Sequence, residues 1–505
     1  MTILNVDEIE KYDKENLNPD GIEKYSITKQ PTIYNSEEEL IKWLKYDLLQ
    51  QALRKGKTKN SNNTITITDE EEKDYILNIG REIWDMDYYI NIHFDFSFNN
   101  LQVLLYGNSD NIKYNYRINA DYIIFHKEAD FYNFKNCYRF RGVTFYEKVS
   151  FYENEFLEEI KFDNVIFYKK VDFFLAYFYK KVSFSETYFH DYVCLSCFFY
   201  DKVSFYGITI KEKMYFGTHN DKIESVIFSG IIFENQKSML YIGGINKVNN
   251  FSFVHTAING QVELNGIEIN EADFKGTIIN GGYINPVNFK VHKFVNRESA
   301  LFLKQQAYAR NNAIDALQYK AKEIEKHKED LIKDWQKNKD FKTFGDIVSI
   351  GLSSLYSDNG QNWIRAFICT ILFPTVFFTL SYNIYNIPIF IFVLISFLFI
   401  PLCDNTKITK YIFISMFTYL ILFIPIQNYI FSILIDIDNK TFIKELLSYI
   451  TPTNFNQIIL DKTNESYIYK DNTIIRAISY FLGKVLFWYG SVQTVTAFRK
   501  FAKGA

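Results

Sequence analysis

The sequence predicts a molecule of two parts, a β-solenoid followed by an α-helical transmembrane bundle. Two observations lead to this division of the 505 residues. In the middle of the chain, phenylalanine recurs at alternating steps of five and six residues, a spacing that fits neither a helix nor a simple alternating strand. After residue 360 the chain changes to long apolar runs with few charges, as expected of helices that cross a bilayer.

Composition narrows the classes of function that the chain can serve. A net charge of −3 gives the whole chain no general attraction to nucleic acids or anionic membrane surfaces. The 49 Phe and 38 Tyr exceed what one ordinary core requires, which favours a repeating architecture. Five cysteines are too few for a disulfide framework in a chain of this length. Residues 1–20 are polar and acidic, so we expect no signal peptide.

The segment 1–115 is predicted to be an α/β cap over the open end of the solenoid, which would otherwise expose unpaired backbone groups. Residues 37–53 (EEELIKWLKYDLLQQAL) have the apolar periodicity of a helix. Residues 64–68 (TITIT) favour a short strand.

The segment 116–295 carries the repeat. A square coil with about five residues on each side fits the spacing, because each side then has one inward centre. Two units of eleven residues make one turn, so residues about 22 apart stack. We therefore expect one inward column of Phe151, Phe173 and Leu195, and another of Phe145, Phe167 and Phe189.

The repeated motifs are VSFYENEF, IKFDNVIF, VDFFLAYF and VSFSETYF. They resemble the repeats of the pentapeptide-repeat family. The resemblance implies a right-handed quadrilateral β-helix that stacks a central Phe or Leu and a smaller residue two positions before it. Residues 211–245 depart from the pattern, and we expect a looped-out or distorted coil there.

Four outward lysines are the candidate ligand-binding residues of the solenoid. The repeat places Lys148 over Lys170, and Lys181 over Lys202. A basic surface with interleaved aromatic residues is typical of nucleic-acid binding. However, neighbouring columns alternate in sign, which is typical of a solvated face. Two interpretations remain open: a solvated face, or a site for an anion such as a nucleotide or oligonucleotide made by a partner enzyme.

The segment 296–360 is predicted to be a helical connector. Its sequence resembles the helices that follow the repeats in membrane-bound pentapeptide-repeat proteins. The matching positions are Arg297, Asn312, Asp315, Ala316 and Glu323. The connector either packs as a hairpin on the last coil or couples a sensor to a pore.

The segment 361–505 is predicted to be a transmembrane domain with four spans, at 363–383, 386–403, 411–435 and 476–498. Basic residues follow the second and fourth spans, and the positive-inside rule then places both termini in the cytoplasm. We therefore expect a multi-pass protein of a bacterial inner membrane. Residues 439–470 are expected to be either re-entrant or interfacial.

Three residues of the fourth span are candidates for lining a pore: Lys484, Ser491 and Gln493. A cation within a span usually faces a bundle interior or a water-filled cavity. Gly483 and Gly490 lie seven residues apart and would let neighbouring helices approach closely. In a homo-oligomer, for which a tetramer is the expected state, Lys484 would ring the pore. The alternative is that Lys484 snorkels from a helix that only packs.

No catalytic motif is present in the sequence, and we expect neither an enzyme nor a metal or cofactor site. Residues 493–501 (QTVTAFRKF) resemble the end of bacterial ion-channel-related proteins. The predicted function is a ligand- or partner-gated pore with a cytosolic sensor, as in antiviral effectors that depolarise the membrane. The alternative is a membrane-anchored scaffold for protein–protein interaction, without a pore.

Overall fold

The structure, a computed structural model, describes residues 2–5, 33–54, 64–67, 75–79, 89–98, 117–132, 137–382 and 474–502. The chain divides into two compact units, Met1–Phe302 and Leu303–Ala505.

The first unit is a parallel β-solenoid, which confirms this part of the predicted fold. Equivalent residues of successive coils pair in register, Phe140 with Phe162 and Phe162 with Phe184. These pairs correspond to the predicted turn of 22 residues. Phe184 pairs with Phe205, one residue sooner.

The strands lie on successive faces of the coil. The first face contains Ile76–Asn78, Arg117–Asp121, Cys137–Arg141, Ile160–Asp163, Val182–Ser185, Val203–Tyr206, Lys222–Ser229, Lys247–Val254, Glu268–Asp273 and Lys290–Phe294. The second face contains Ile33–Tyr34, Ile90–Ile92, Ile123–Phe125, Thr144–Phe145, Ile166–Phe167, Tyr188–Phe189, Thr209–Ile210 and Ile232–Phe233, and the pair Ala257–Ile258 and Ile278–Ile279 follows it.

The third face contains Phe96–Ser97, Ala129–Asp130, Val149–Ser150, Val171–Asp172, Val193–Phe199, Lys213–Thr218, Met239–Gly243, Gln261–Asn265 and Tyr283–Val287. A short fourth face pairs Glu155–Phe156 with Tyr177–Phe178, and the end of Val193–Phe199 continues it.

Residues 211–245 correct one expectation, because they continue the stack rather than forming a looped-out or distorted coil. Phe205 pairs with Phe228, and Phe228 pairs with Phe253. These coils have 23 and 25 residues. The additional residues lengthen the first-face strands, and Lys222–Ser229 and Lys247–Val254 have eight residues each. The sequence therefore departs from the 22-residue period here, although the coils continue to stack in register.

The core is made of the predicted aromatic columns. Phe145 stacks on Phe167 with ring centroids 5.1 Å apart, and Phe167 stacks on Phe189 at 5.4 Å. Phe151 stacks on Phe173 at 4.6 Å. Leu195, the third member expected in that column, is fully buried. Burial of each such side chain contributes about 1.5–3 kcal/mol, and coils share this benefit with their neighbours.

The N-terminal end of the solenoid is covered by helix α1 (Glu37–Arg54). Leu40 and Leu44 are fully buried where α1 packs against Ile33–Tyr34 and Ile76–Asn78. The predicted short strand is Thr64–Ile67, which pairs antiparallel with Thr2–Asn5. The first coil starts earlier than the repeat pattern indicated, because strands between residues 76 and 97 already pair with the next coil.

The last coil ends on helix α2 (Arg297–Ala309). Ser299 Oγ accepts a hydrogen bond of 2.7 Å from the Phe274 amide and lies 3.0 Å from Asp273 Oδ1. Phe302 packs on the ring of Phe274. The first turn of α2 therefore replaces the next coil as a cover for the core.

The second unit is helical and contains α3 (Ala313–Lys337), α4 (Phe341–Ser357), α5 (Trp363–Tyr382) and α6 (Ile474–Ala502). The connector thus contains helices, and a partly buried ion pair joins Lys304 to Glu323 at 2.5 Å.

The first and fourth predicted spans coincide with α5 and α6. The predicted spans 386–403 and 411–435 and the segment 439–470 lie outside the described residues. Among the helices that the structure describes, none is both long enough and apolar enough to cross a lipid bilayer. The transmembrane part of the predicted fold is therefore not confirmed and stays a prediction.

Candidate functional site

A groove of about 550 Å³ lies on the third face of the solenoid. Its floor is a column of small polar residues that pair from coil to coil: Ser97, Asp130, Ser150 and Asp172. Its wall is the corner column that precedes these strands: Asp95, Glu128, Lys148 and Lys170. Successive side chains of a strand point to opposite faces, so one side chain points outward between two inward ones. These outward side chains form the floor.

A column of exposed aromatic residues lies beside the groove lining, two positions after the floor residues along the chain. These are Tyr132, Tyr152 and Phe174. Side chains of the floor fix this turn, because Asp130 Oδ1 accepts from the Tyr132 amide at 3.1 Å and Asp172 Oδ1 accepts from the Phe174 amide at 3.0 Å. Such local bonds are a common use of Asp in turns. We call the floor and its wall the third-face groove, and the neighbouring rings its aromatic border.

The third-face groove is negative overall, although it contains two of the candidate lysines. Lys148 Nζ lies 3.9 Å from Glu128, and Lys170 Nζ lies 3.5 Å from Asp172. The lining contains four carboxylates and two ammonium groups, so its formal charge is −2. These pairs are exposed and weak, so they do not lock the lysines in place. The charge does not favour an anionic ligand.

The other two candidate lysines lie elsewhere. Lys181 and Lys202 are neighbours at the start of the first face, where the Val182 amide donates to the Lys202 carbonyl at 3.0 Å. Lys181 Nζ lies 3.6 Å from Glu159. The structure therefore brings together the two members of each predicted pair. It does not bring together the pairs themselves, which lie on opposite faces.

An external column of aromatic rings runs along the corner between the second and third faces. It consists of His93, His126, Tyr146, Tyr168 and His190, with successive centroids 4.1, 5.3, 4.9 and 4.4 Å apart. An inserted nucleobase would need about 7 Å, two ordinary carbon–carbon contacts. The column therefore presents ring edges rather than gaps for bases.

Histidines stand at both ends of this external column. Burial lowers the pKa of His126, and the charge of His93 lowers it further. His126 Nε2 lies 3.0 Å from Asn91 Oδ1. Burial also lowers the pKa of His190, with Lys211 adding to the effect. The lowered pKa of each ring favours its neutral form. Sequence reasoning missed the column, although an aromatic residue one position after an inward Phe could have indicated it.

The three candidate pore residues do not share one side of α6. At 100° per residue, Lys484 and Ser491 lie on nearly the same side, and Gln493 lies opposite Lys484. Lys484 is 1% exposed, with Nζ 5.0 Å from the centre of the Tyr480 ring. Ser491 Oγ donates to the Phe487 carbonyl in its own helix at 2.8 Å. Gln493 Oε1 accepts from Ser357 Oγ at 2.9 Å.

A polar seam joins α4, α5 and α6 inside the helical unit. Besides the Ser357–Gln493 bond, Thr370 Oγ1 and Thr494 Oγ1 lie 3.1 Å apart. Gly490 allows this approach, because an added Cβ would lie 2.4 Å from Thr370 Oγ1 and 2.7 Å from a Tyr356 ring carbon. The close approach expected at Gly490 is thus present. The hydroxyl partners carried no recognisable sequence signal, since their partners lie more than 100 residues away.

The outer side of α6 is apolar. The exposed side chains on this helix include Ile478, Phe481, Leu482, Val485, Trp488, Val492 and Val495. A helix of a water-soluble protein has the reverse arrangement, with apolar residues inside and polar residues outside. We call this set the outer apolar side of α6.

No metal or redox centre is formed within the part of the chain that the structure describes. In those residues no group of His, Cys, Asp and Glu side chains is placed to hold a metal ion. Cys197 is buried, and its Sγ lies 3.0 Å from the Phe173 carbonyl oxygen. Burial raises the pKa of its thiol well above the ordinary value, which makes it unreactive.

No protein-family model, curated protein or solved structure matches this chain. The solenoid is consistent with a pentapeptide-repeat β-helix on its own geometry, namely parallel coils with one central Phe stacked on each of the regular sides.

Proposed function

We propose that the protein is a homo-oligomeric membrane pore, opened by a partner or ligand that binds the solenoid. The observation that carries this proposal is the inverted polarity of α6. Val485 and Val492 are exposed, whereas Lys484 is buried and Gln493 is hydrogen-bonded inside the helical unit. A contiguous apolar surface of this kind is typical of contact with lipid or protein.

The sequence outside the described residues supports the membrane part of the proposal. Residues 386–403 and 411–435 contain no charged side chain, and each run is close to the roughly 20 residues that one spanning helix requires. In the proposed arrangement, α5 and α6 would complete four spans within an oligomer, although neither helix by itself has the length and apolarity of a spanning helix. The basic residues near 407–410 and 499–503 would then lie on one side of a bacterial inner membrane, together with both termini.

The buried position of Lys484 supports a closed state. A cation inside a helical bundle is expensive unless it serves a function. In the proposed mechanism, binding at the solenoid rearranges the connector helices, and Lys484 then becomes accessible to ions. A ring of Lys484 side chains would favour anions. An effector that depolarises an infected bacterium would work in this way, and that biological role rests on analogy.

The second candidate function is a membrane-anchored scaffold. The third-face groove favours it, because a docking surface needs no pore. The two candidates make different demands on the helices, since a scaffold does not require Lys484 or the polar seam.

Membrane potential in living cells tests the proposal. Cells expressing the protein, with and without its genomic neighbours, are followed with a potential-sensitive dye while growth is recorded. The proposal predicts depolarisation and growth arrest in at least one of these conditions, and Lys484→Glu should alter the response. Potential that persists under every condition would favour the scaffold.

A further inference from the structure

We propose that the third-face groove binds an extended peptide in the polyproline-II conformation, with a basic side chain at every third residue. The inference deepens the proposed function, because it names the chemical class of partner that would act at the solenoid. It rests on the spacing of the floor carboxylates, on the charge of the groove lining and on the aromatic border beside the groove.

The spacing of the floor carboxylates matches this conformation. Asp130 pairs with Ser150, and Ser150 pairs with Asp172, so the two carboxylates lie two coils apart. Adjacent strands are about 4.8 Å apart, which places these side chains about 9.6 Å apart. A polyproline-II segment has three residues per turn and rises about 3.1 Å per residue, so residues i and i+3 lie on one side about 9.3 Å apart. A β-strand repeats every second residue and does not fit.

The charge of the groove lining and the aromatic border favour a basic, proline-containing peptide. The formal charge of −2 in the groove lining complements Lys or Arg side chains of the peptide. Tyr132, Tyr152 and Phe174 supply an exposed aromatic border beside the groove, and aromatic side chains are a common recognition surface for polyproline-II segments. Because such a segment is already extended when free, little conformational entropy is lost on binding.

Binding of the peptide as an additional β-strand fits this surface less well. The backbone groups of this face are already used between coils, since the Ala129 amide donates to the Lys148 carbonyl at 3.0 Å and the Val149 amide donates to the Lys170 carbonyl at 3.1 Å. A peptide would therefore contact the side chains of the groove, and the groove would recognise the spacing of the peptide's own side chains.

Peptide binding by the full-length protein in detergent micelles tests the inference. The probes are fluorescent KPPKPPK, its acidic counterpart EPPEPPE, the flexible KGGKGGK and a short oligothymidylate, with affinity read from fluorescence anisotropy. KPPKPPK should bind tightest. Asp130→Asn and Asp172→Asn keep the oxygen that holds the turn but remove the charge, and each should weaken binding by about tenfold, equivalent to about 1.4 kcal/mol. Lys148→Glu should strengthen it.

Asp163→Asn is the matched control, because Asp163 is a strand carboxylate on the first face of the solenoid. It should leave binding unchanged. Equal binding of EPPEPPE or oligothymidylate, or unchanged binding by Asp172→Asn, would overturn the inference. Peptide binding without any change in membrane potential would uphold the inference and count against the gated pore. Depolarisation in cells without peptide binding in micelles would support the pore and contradict the inference about the groove.

Discussion

Phe302 of helix α2 stacks on Phe274 of the solenoid core, with ring centroids 5.6 Å apart. Phe302 is nearly buried in the first unit, although it belongs to a helix and not to a coil. A solenoid needs such a cover, because its last coil otherwise exposes apolar residues and unpaired strand edges. The ring of Phe302 occupies the place that the next phenylalanine of the column would take.

Phe302→Ala should therefore destabilise the end of the solenoid. Removing a buried Phe ring leaves a cavity, and the expected loss is about 3 kcal/mol. Hydrogen exchange of the last coil, residues 268–294, measures the effect locally. Tyr308→Ala is the control, because Tyr308 lies on the same helix and is exposed. Equal protection in both variants would show that Phe302 does not cap the core.

Gly490→Ala should loosen the packing of α4, α5 and α6. The added methyl group would meet Thr370 and Tyr356 at less than contact distance, and overpacking of this kind costs about 1–3 kcal/mol. Gly345→Ala in α4 has no atom within 4 Å of the added Cβ, so helix propensity alone should make it neutral or slightly stabilising. Thermal unfolding in detergent compares them, and equal melting temperatures would argue against the close approach at Gly490.

Acidification should weaken the first coils of the solenoid slightly. The folded-state pKa of His126 is lowered by burial and by His93, whereas an unfolded His titrates near about 6.5. The unfolded state then binds more protons, so stability is complete above about pH 6.5 and falls as the pH decreases below it. Hydrogen exchange of residues 90–97, corrected for the intrinsic pH effect, should accelerate between about pH 7.5 and 5.5. His126→Phe keeps the stacked ring and should remove this pH dependence, and no change in either protein would contradict the account.

Val492→Asp should weaken assembly of the helical unit in the membrane. Val492 lies on the outer apolar side of α6, and a charge near the centre of a bilayer costs about 2.5–3.5 kcal/mol. The fraction of protein in washed membranes and the loss of membrane potential are the measurements. Val287→Asp on the solenoid places the same charge at another exposed valine and should change neither. A fully active Val492→Asp would show that this side of α6 touches neither lipid nor another subunit.

The sequence predicted the parts of the fold that depend on local repetition. Phe145, Phe167 and Phe189 stack as expected because inward positions recur every 22 residues. The stacking of Phe228 on its neighbours was missed, since strands of unequal length change the sequence period without changing the pairing.

The candidate sites were less predictable, because they depend on which columns meet at a corner. Lys148 and Lys170 were found as neighbours from the repeat, but Asp95 and Glu128 join them only through coils whose register is irregular in the sequence. In the helical unit, the helical period alone places Gln493 opposite Lys484, but its partner Ser357 belongs to another helix and could not be inferred. The sequence period predicts which residues stack in a column. The candidate sites also depend on contacts between distant segments, which the period does not show.

Current through planar bilayers containing the purified full-length protein tests the pore most directly. In a gradient of potassium chloride, the account predicts stepwise currents that favour chloride, and Lys484→Glu should move the reversal potential toward that of potassium. Bilayers that stay as electrically silent as protein-free ones, with and without KPPKPPK, would contradict it.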